Sequence, residues 1–197
     1  ASHASPSFDR LLSDQVLNFD SGVRIESEGS KGNEPILVIA PDAFLTPLNA
    51  LVNLKENQGH PVNLVPLSVT GSTPESIKSY IKNAYENWTS PPTYLILVGD
   101  VNNGSLSMPA FTGLSSDTVT DLYYGTVDGD DWIPDIFVGR MPARNATQLS
   151  TMINNLAAYH NLTGGEGWVK KAAFLASNDS NYWDFAEATQ NYVIQSH

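Results

Sequence analysis

Residues 94–100 read Tyr-Leu-Ile-Leu-Val-Gly-Asp, and this stretch decides the fold. Its first five residues are apolar or aromatic at both odd and even positions. That pattern indicates a strand buried on both faces, as in the middle of a parallel sheet. Gly99 and Asp100 then bring a carboxylate to the carboxyl end of the strand. Sites in open α/β sheets form at that edge, because the loops that leave adjacent strands diverge and leave a crevice.

Three further stretches have the pattern of strands of the same sheet. They are residues 35–40, 62–67 and 135–138. Pro66 removes a backbone donor from the second of them, which places that strand at an edge of the sheet. Thr-Pro pairs beginning at Thr46 and Thr73 indicate helix starts between the strands, because proline is well tolerated at the first helical position. The sequence therefore predicts right-handed βαβ units with strand order 2-1-3, and residues 135–138 beside the third strand.

The predicted fold class is α/β, with three layers in which helices flank a mainly parallel sheet. Residues 35–197 are predicted to form this domain. Residues 1–34 are polar and rich in Gly and Ser, so we expect a loose N-terminal arm or an edge hairpin there. Thr147 is expected to cap a third helix. Lys171–Ala176 is predicted as a later strand, and a last helix is expected from about Asp184.

The composition narrows the classes of function. The chain has 197 residues and a net charge of -11, which disfavours nucleic acid and anionic membranes as partners. No apolar run approaches the ~20 residues of a membrane-spanning helix, so we expect no membrane insertion. Cysteine is absent from the sequence. This chain therefore carries no thiol nucleophile, no disulfide and no cysteine–zinc site.

A run of carboxylates after the central strand points to a metal site. Asp128-Gly-Asp130 alternates acids around a glycine as calcium-binding loops do, because a hard cation takes about six to eight oxygen ligands. Asp100, Asp117 and Asp121 would add oxygens if their loops meet at the crevice. The sequence therefore predicts calcium as a cofactor, and a solvated turn between two strands is the alternative.

The sequence contains no recognisable catalytic pair. Asp42 and Asp100 both follow predicted strand ends, where paired carboxylates either perform acid–base chemistry or cap the next element. The four histidines lack the spacing of metal ligands, and no serine lies in a nucleophile elbow. We therefore assign no catalytic residue to this chain and expect it to be inactive alone.

The order of these motifs resembles the first subdomain of gingipain-type cysteine peptidases, which have a caspase-like fold. The resemblance is carried by Val-Gly-Asp100 after a strand, by Thr-Asp-Leu-Tyr-Tyr-Gly at residues 120–125, by the Asp-Gly-Asp turn, and by Phe-Val-Gly-Arg140 before a helix. It extends from about Ile36 to about Tyr192. The fold it implies is half of a caspase-like or flavodoxin-like sheet.

The resemblance implies the amino-terminal part of a secreted cysteine endopeptidase that acts on a peptide or protein substrate. The catalytic His and Cys would lie in a missing C-terminal subdomain, which is then the expected partner, while this chain supplies part of the substrate-pocket wall. Arginine-specific members have an aspartate that meets the substrate guanidinium, at a position that matches Asp184 or, after a shift, Asp179. Members also bind calcium. Five Asn-x-Ser/Thr sequons agree with a secreted or cell-surface protein.

Two other functions stay open at this point. A non-catalytic surface or secretion-associated binding module would keep the fold without the catalytic pair. A flavodoxin-like domain would bind a flavin or nucleotide, although Gly99–Gly104 lacks the spacing of a phosphate-binding loop. If a C-terminal half exists, one edge of the sheet should expose apolar residues where partner strands add.

Overall fold

The computed structural model describes residues 34–115, 118–163, 165–168, 171–173 and 183–196. Residues 1–157 form one compact unit, and residues 158–197 form a second. The predicted arm over residues 1–34 lies outside the described residues except for Glu34. The domain boundary at residue 35 therefore stays a prediction.

The described residues of the first unit contain two sheets. Their strands are β1 (Ile36–Ala40), β2 (Val62–Pro66), β3 (Tyr94–Val98), β4 (Phe111–Thr112), β5 (Val119–Thr120) and β6 (Phe137–Met141). The central sheet is parallel, in the order β2-β1-β3-β6, and β4 and β5 form a separate antiparallel hairpin. The α/β class, the 2-1-3 order and the edge position of the proline-containing strand are confirmed.

The last strand of the central sheet begins later than predicted. Residues 135–138 are the predicted strand, whereas β6 spans Phe137–Met141. Asp135 donates its amide to the Gly125 carbonyl at 2.8 Å, so it belongs to a turn that precedes the strand. Ladder pairing begins at Phe137, which lies opposite Tyr94.

Helices connect the strands and cover the sheet. They are α1 (Leu45–Asn57), α2 (Leu67–Thr70), α3 (Pro74–Asn87), α4 (Leu122–Gly125) and α5 (Ala146–His160), while a further helix, α6 (Trp183–Ser196), belongs to the second unit. The predicted start of α3 is confirmed. Thr73 Oγ1 accepts the Ser76 amide at 3.2 Å, and Ser76 Oγ accepts the Thr73 amide at 3.2 Å, which is a capping box.

The predicted caps of two other helices are wrong. Thr46 lies inside α1, which starts at Leu45 without a side-chain cap because it continues a 3-10 turn over Asp42–Phe44. Thr147 lies inside α5, and Asn145 accepts the Gln148 amide at 2.9 Å in its place. A short polar residue earlier in the chain therefore supplies the hydrogen bond at the start of α5.

The central strands β1 and β3 are buried on both faces over most of their length, as the continuous apolar runs predicted. All five residues of β1 are buried. One layer of the core packs strand residues against α3, and it contains Leu37, Ile39, Leu95 and Leu97 with Ile77 and Ile81. The other layer packs β1 against α1 and α5, and it contains Ile36, Val38 and Ala40 with Leu48, Leu51, Leu149 and Ile153. Burial of each large aliphatic side chain contributes about 1.5–3 kcal/mol, so these two layers hold the sheet together.

The second unit ends in α6. Its start at Trp183 confirms the helix predicted from about Asp184. Lys171–Ala173, the described beginning of the predicted strand over residues 171–176, have no regular secondary structure, and residues 174–176 lie outside the described residues. None of the described helices is both long enough and apolar enough to cross a membrane.

Candidate functional site at the carboxyl edge of the sheet

The loops that follow the parallel strands enclose a crevice at the carboxyl edge of the sheet. It has a volume of about 720 Å³ and is lined by segments that follow β1, β2 and β3. Its polar lining consists of Asp42, Ser68, Ser72, Ser105 and Ser107. β2 lies on one side of β1 and β3 lies on the other, so the strand order reverses at β1. The crevice lies at this point, which is the place expected for a site in such a sheet.

Asp42 lies in this crevice and is bound by a serine. Ser68 donates its hydroxyl to one carboxylate oxygen at 2.5 Å and its amide to the other at 3.2 Å. These bonds favour the charged form, and the Ser68 hydroxyl contributes most to lowering the pKa of Asp42. Asp42 is therefore an anion at neutral pH that connects the loop after β1 to the start of α2.

Asp100 lies at the same edge but is paired elsewhere. Arg144 Nε donates to its carboxylate at 2.6 Å, and the Val101 amide donates at 2.8 Å. The hydrogen bond from Arg144 is the largest cause of the lowered pKa of Asp100. Since Asp42 and Asp100 both have lowered pKa values and separate partners, they do not form a proton-sharing carboxylate pair.

Arg140, at the carboxyl half of β6, connects the loops of this edge. Its Nε and Nη2 donate to the two carboxylate oxygens of Asp121 at 2.8 and 2.7 Å. Nη1 donates to the carbonyls of Gly99 and Met108, both at 2.8 Å, and Nη2 donates to the Pro109 carbonyl at 3.0 Å. These bonds use every N–H of the guanidinium.

The segment between β3 and β6 is therefore held against the sheet by one side chain. Tyr124 adds a second attachment, because its buried hydroxyl donates to the Pro109 carbonyl at 2.8 Å. Burial raises the pKa of Tyr124, so the hydroxyl stays protonated as a donor. Sequence reasoning quoted Arg140 only within a motif and missed this role. An arginine in an otherwise apolar strand was the available signal, because a buried guanidinium needs anionic or carbonyl partners.

The turn that carries the acidic run is built around Asp135. This carboxylate is 6% exposed and accepts the amides of Val127 and Asp128, both at 2.8 Å. Asp131 accepts the Ile133 amide at 2.8 Å, as in an Asx turn. Asp128 and Asp130 are exposed on this turn.

The residues predicted for calcium are not gathered into one site by the described part of the chain. Asp121 is bound by Arg140 and Asp100 by Arg144, while Asp128 and Asp130 lie on the acidic turn. Asp117 lies outside the described residues. Within the described ranges, no three His, Asp or Glu side chains could hold a metal ion together. Calcium binding by these residues therefore stays a prediction, which a chelator's effect on the melting temperature would check.

Asp184, predicted to contact substrate, lies in the first turn of α6. Its side chain lies outside what the structure describes, and so does Asp179. The role of Asp184 therefore stays a prediction.

Comparisons with known proteins all match this chain to one family of peptidases. The model of the family described as Peptidase family C25 matches residues 30–197. Lys-gingipain of Porphyromonas gingivalis is 30% identical over 201 residues, which cover 97% of this chain and 11% of that protein. Gingipain R2 of the same species is 25% identical over 173 residues, which cover 86% of this chain and 23% of that protein. The chain thus spans less than a quarter of the length of these relatives.

Solved structures show the same fold. The crystal structure of the Arg specific cysteine proteinase gingipain R matches with a TM-score of 0.64 and 22% identity, over 85% of this chain and 40% of that chain. The complex of Porphyromonas gingivalis RgpB pro- and mature domains matches with a TM-score of 0.64 and 23% identity, over 82% and 39% of the two chains. The four-stranded parallel sheet and its helices therefore correspond to part of a gingipain domain with the caspase-like fold.

Proposed function

Because this chain belongs to peptidase family C25, we propose that it is the amino-terminal part of a secreted, gingipain-like cysteine endopeptidase whose catalytic His and Cys lie in a further segment. This proposal rests on the family match. The absence of cysteine from this sequence supports placing the catalytic Cys in a further segment. In the proposed reaction, a thiolate from the further segment attacks the scissile carbonyl of a peptide bond. The histidine of that segment protonates the leaving amine.

The contribution of this chain is to form and stabilise one wall of the substrate site. The crevice at the carboxyl edge supports this role, since its loops are held by charged hydrogen bonds from Arg140 and Arg144. Asp42 and Asp100 have lowered pKa values and are ionised at neutral pH. Asp42 therefore supplies fixed negative charge to the substrate site, Asp100 is paired with Arg144, and neither supplies a proton to the reaction.

Asp184 is our candidate for the recognition of a basic side chain in the substrate. Two relatives are named for Lys and Arg, and a carboxylate binds a guanidinium through two parallel hydrogen bonds. In the complete enzyme, Asp184→Asn should lower kcat/KM for arginyl or lysyl substrates by about 100-fold or more, since a charge-assisted contact is lost. Asp179→Asn is the matched control. If it has the larger effect, the assignment of Asp184 is wrong.

The decisive experiment joins this chain to the segment that follows it in the gene. The joined protein should cleave a peptide substrate, iodoacetamide should abolish the cleavage, and this chain alone should be inactive. A following segment without a histidine and a cysteine would contradict the proposal. That result would favour the alternative of a non-catalytic surface or secretion-associated binding module, which the same fold and the same absence of cysteine accommodate.

A further inference from the structure

The segment between β3 and β6 exposes an unusual amount of apolar surface. Leu114 is 97% exposed and Trp132 is 62% exposed. Val119, Leu122 and Ile133 are also exposed large side chains of this segment. Single exposed apolar residues are common on a protein surface, whereas a cluster of them marks a place where another molecule binds.

Several of these side chains line one groove. Its volume is about 350 Å³, and it is lined by Gly113, Leu114, Thr120, Leu122, Tyr123 and Trp132. The Tyr123 ring centroid lies 5.6 Å from that of Trp132 and 5.4 Å from that of Phe111. These ring contacts restrain the aromatic side of the groove.

Acidic residues immediately precede the groove residue Trp132 in the chain. The preceding residues, Asp128, Asp130 and Asp131, belong to the acidic turn that Asp135 holds by two backbone hydrogen bonds. The carboxylates of Asp128, Asp130 and Asp131 make no ion pair with the other described residues, while Lys78 Nζ lies 6.0 Å from the centroid of the Tyr123 ring. An apolar groove beside carboxylates of this kind is complementary to an apolar side chain with a cation next to it in sequence.

Backbone groups of the hairpin lie along the same groove. Gly113, Leu114 and Thr120 line it, and they belong to the β4–β5 hairpin and its turn. In the described part of the chain, β4 and β5 pair only with each other. Each strand therefore has an outer edge at which an extended peptide can add main-chain hydrogen bonds.

We propose that this groove binds an extended polypeptide segment in which a large apolar side chain is flanked by Lys or Arg. The acidic turn disfavours nucleic acid and anionic lipid as ligands. It also disfavours a second copy of this chain, whose net charge is -11. The proposal goes beyond the proposed peptidase function, because it requires neither the catalytic pair nor the segment that follows this chain.

The test measures binding of two short peptides to the full chain by fluorescence anisotropy. One contains Lys-Phe-Leu-Lys between glycines, and the other contains Glu-Phe-Leu-Glu in the same frame. We expect the basic peptide to bind more tightly, and Trp132→Ala to weaken its binding about tenfold or more. Trp168→Ala is the matched control, because Trp168 is also exposed and lies 6.1 Å from the ring of Tyr159. It should leave the affinity unchanged.

A charge variant and a binding map complete the test. Asp130→Asn should weaken the basic peptide about twofold to fivefold at low salt, and the difference should fade as salt screens the charge. Amide shifts of the unmodified chain during titration should concentrate at residues 112–115, 118–123 and 132. Equal affinity for the two peptides, or an unchanged affinity in Trp132→Ala, would overturn the proposal. So would sedimentation that shows a dimer lost in Trp132→Ala without any peptide binding.

Discussion

Two aspartate–arginine pairs lie at the same edge of the sheet, and they differ in how much of the arginine is exposed. Arg140 binds Asp121 through two hydrogen bonds, and its side chain is only 13% exposed. Arg144 binds Asp100 through one hydrogen bond, and its side chain is 66% exposed. The same pair of charged groups therefore forms a buried hub in one place and a surface contact in the other.

The difference shows that burial and additional hydrogen-bond partners decide how much an ion pair contributes to the stability of the fold. The Arg140 guanidinium also donates to three backbone carbonyls that have no other charged donor among the described contacts. Loss of Arg140 would leave the Asp121 carboxylate and the carbonyls of Gly99 and Met108 without this donor in a partly dry site, while the Pro109 carbonyl keeps the Tyr124 hydroxyl. Loss of Arg144 would leave Asp100 in contact with water, which replaces the lost hydrogen bond.

The largest expected effect is that of Arg140→Ala. It should lower the free energy of unfolding by roughly 3–5 kcal/mol, because it removes a largely buried guanidinium and leaves both a partly buried carboxylate and two backbone carbonyls without their donor. Urea unfolding followed by circular dichroism measures this value. Arg144→Ala is the matched control and should change the unfolding midpoint little. Equal midpoints for the two variants would show that burial does not distinguish the pairs.

The second largest expected effect on stability is that of Gly99→Ala, at the residue whose carbonyl accepts a hydrogen bond from Arg140. Gly99 has φ +124°, and a Cβ there would lie 2.9 Å from the Leu106 carbonyl oxygen. Gly99→Ala should therefore cost about 1–3 kcal/mol through backbone strain and a steric clash. Gly139→Ala is the control, because a Cβ at Gly139 meets nothing within 4 Å. It should be neutral or slightly stabilising, since it restricts the unfolded chain.

Sequence patterns predicted the sheet because its strands carry their signal locally. Each of β1 and β3 is a run of five apolar or aromatic residues with a turn residue directly after it, so the length and hydrophobicity of the run were enough to predict the strand. The start of β6 was misplaced by two residues. Asp135 and Ile136 look like strand residues but bond to the Gly125 carbonyl, which a local pattern does not reveal.

The partners of the charged residues were not predictable in the same way. Asp100 and Arg144 lie 44 positions apart, and Arg140 uses carbonyls that any residue type supplies. The sequence placed Asp42 and Asp100 at one edge and suggested that they share a site. The structure gives them separate partners, because each loop folds back on the nearest donor, Ser68 for Asp42 and Arg144 for Asp100.

The smallest expected effect is a change in acid sensitivity at the exposed pair. Asp100 has a lowered pKa in the folded chain, chiefly because of the hydrogen bond from Arg144. Its contribution to stability is therefore complete above its ordinary pKa of about 3.9 and is lost as pH falls through the lower folded value. Arg144→Ala should raise the pKa of Asp100 towards the ordinary value and make the chain less sensitive to acid in that range.

Carboxyl NMR titration measures this change and contains its own control. Ser68, which is independent of Arg144, causes the lowered pKa of Asp42, so the titration of Asp42 should not move in Arg144→Ala. An unchanged Asp100 titration in the variant would mean that the Val101 amide alone holds its pKa low. The Arg144–Asp100 pair would then contribute nothing to stability, whereas the pair of Arg140 and Asp121 would still contribute to it.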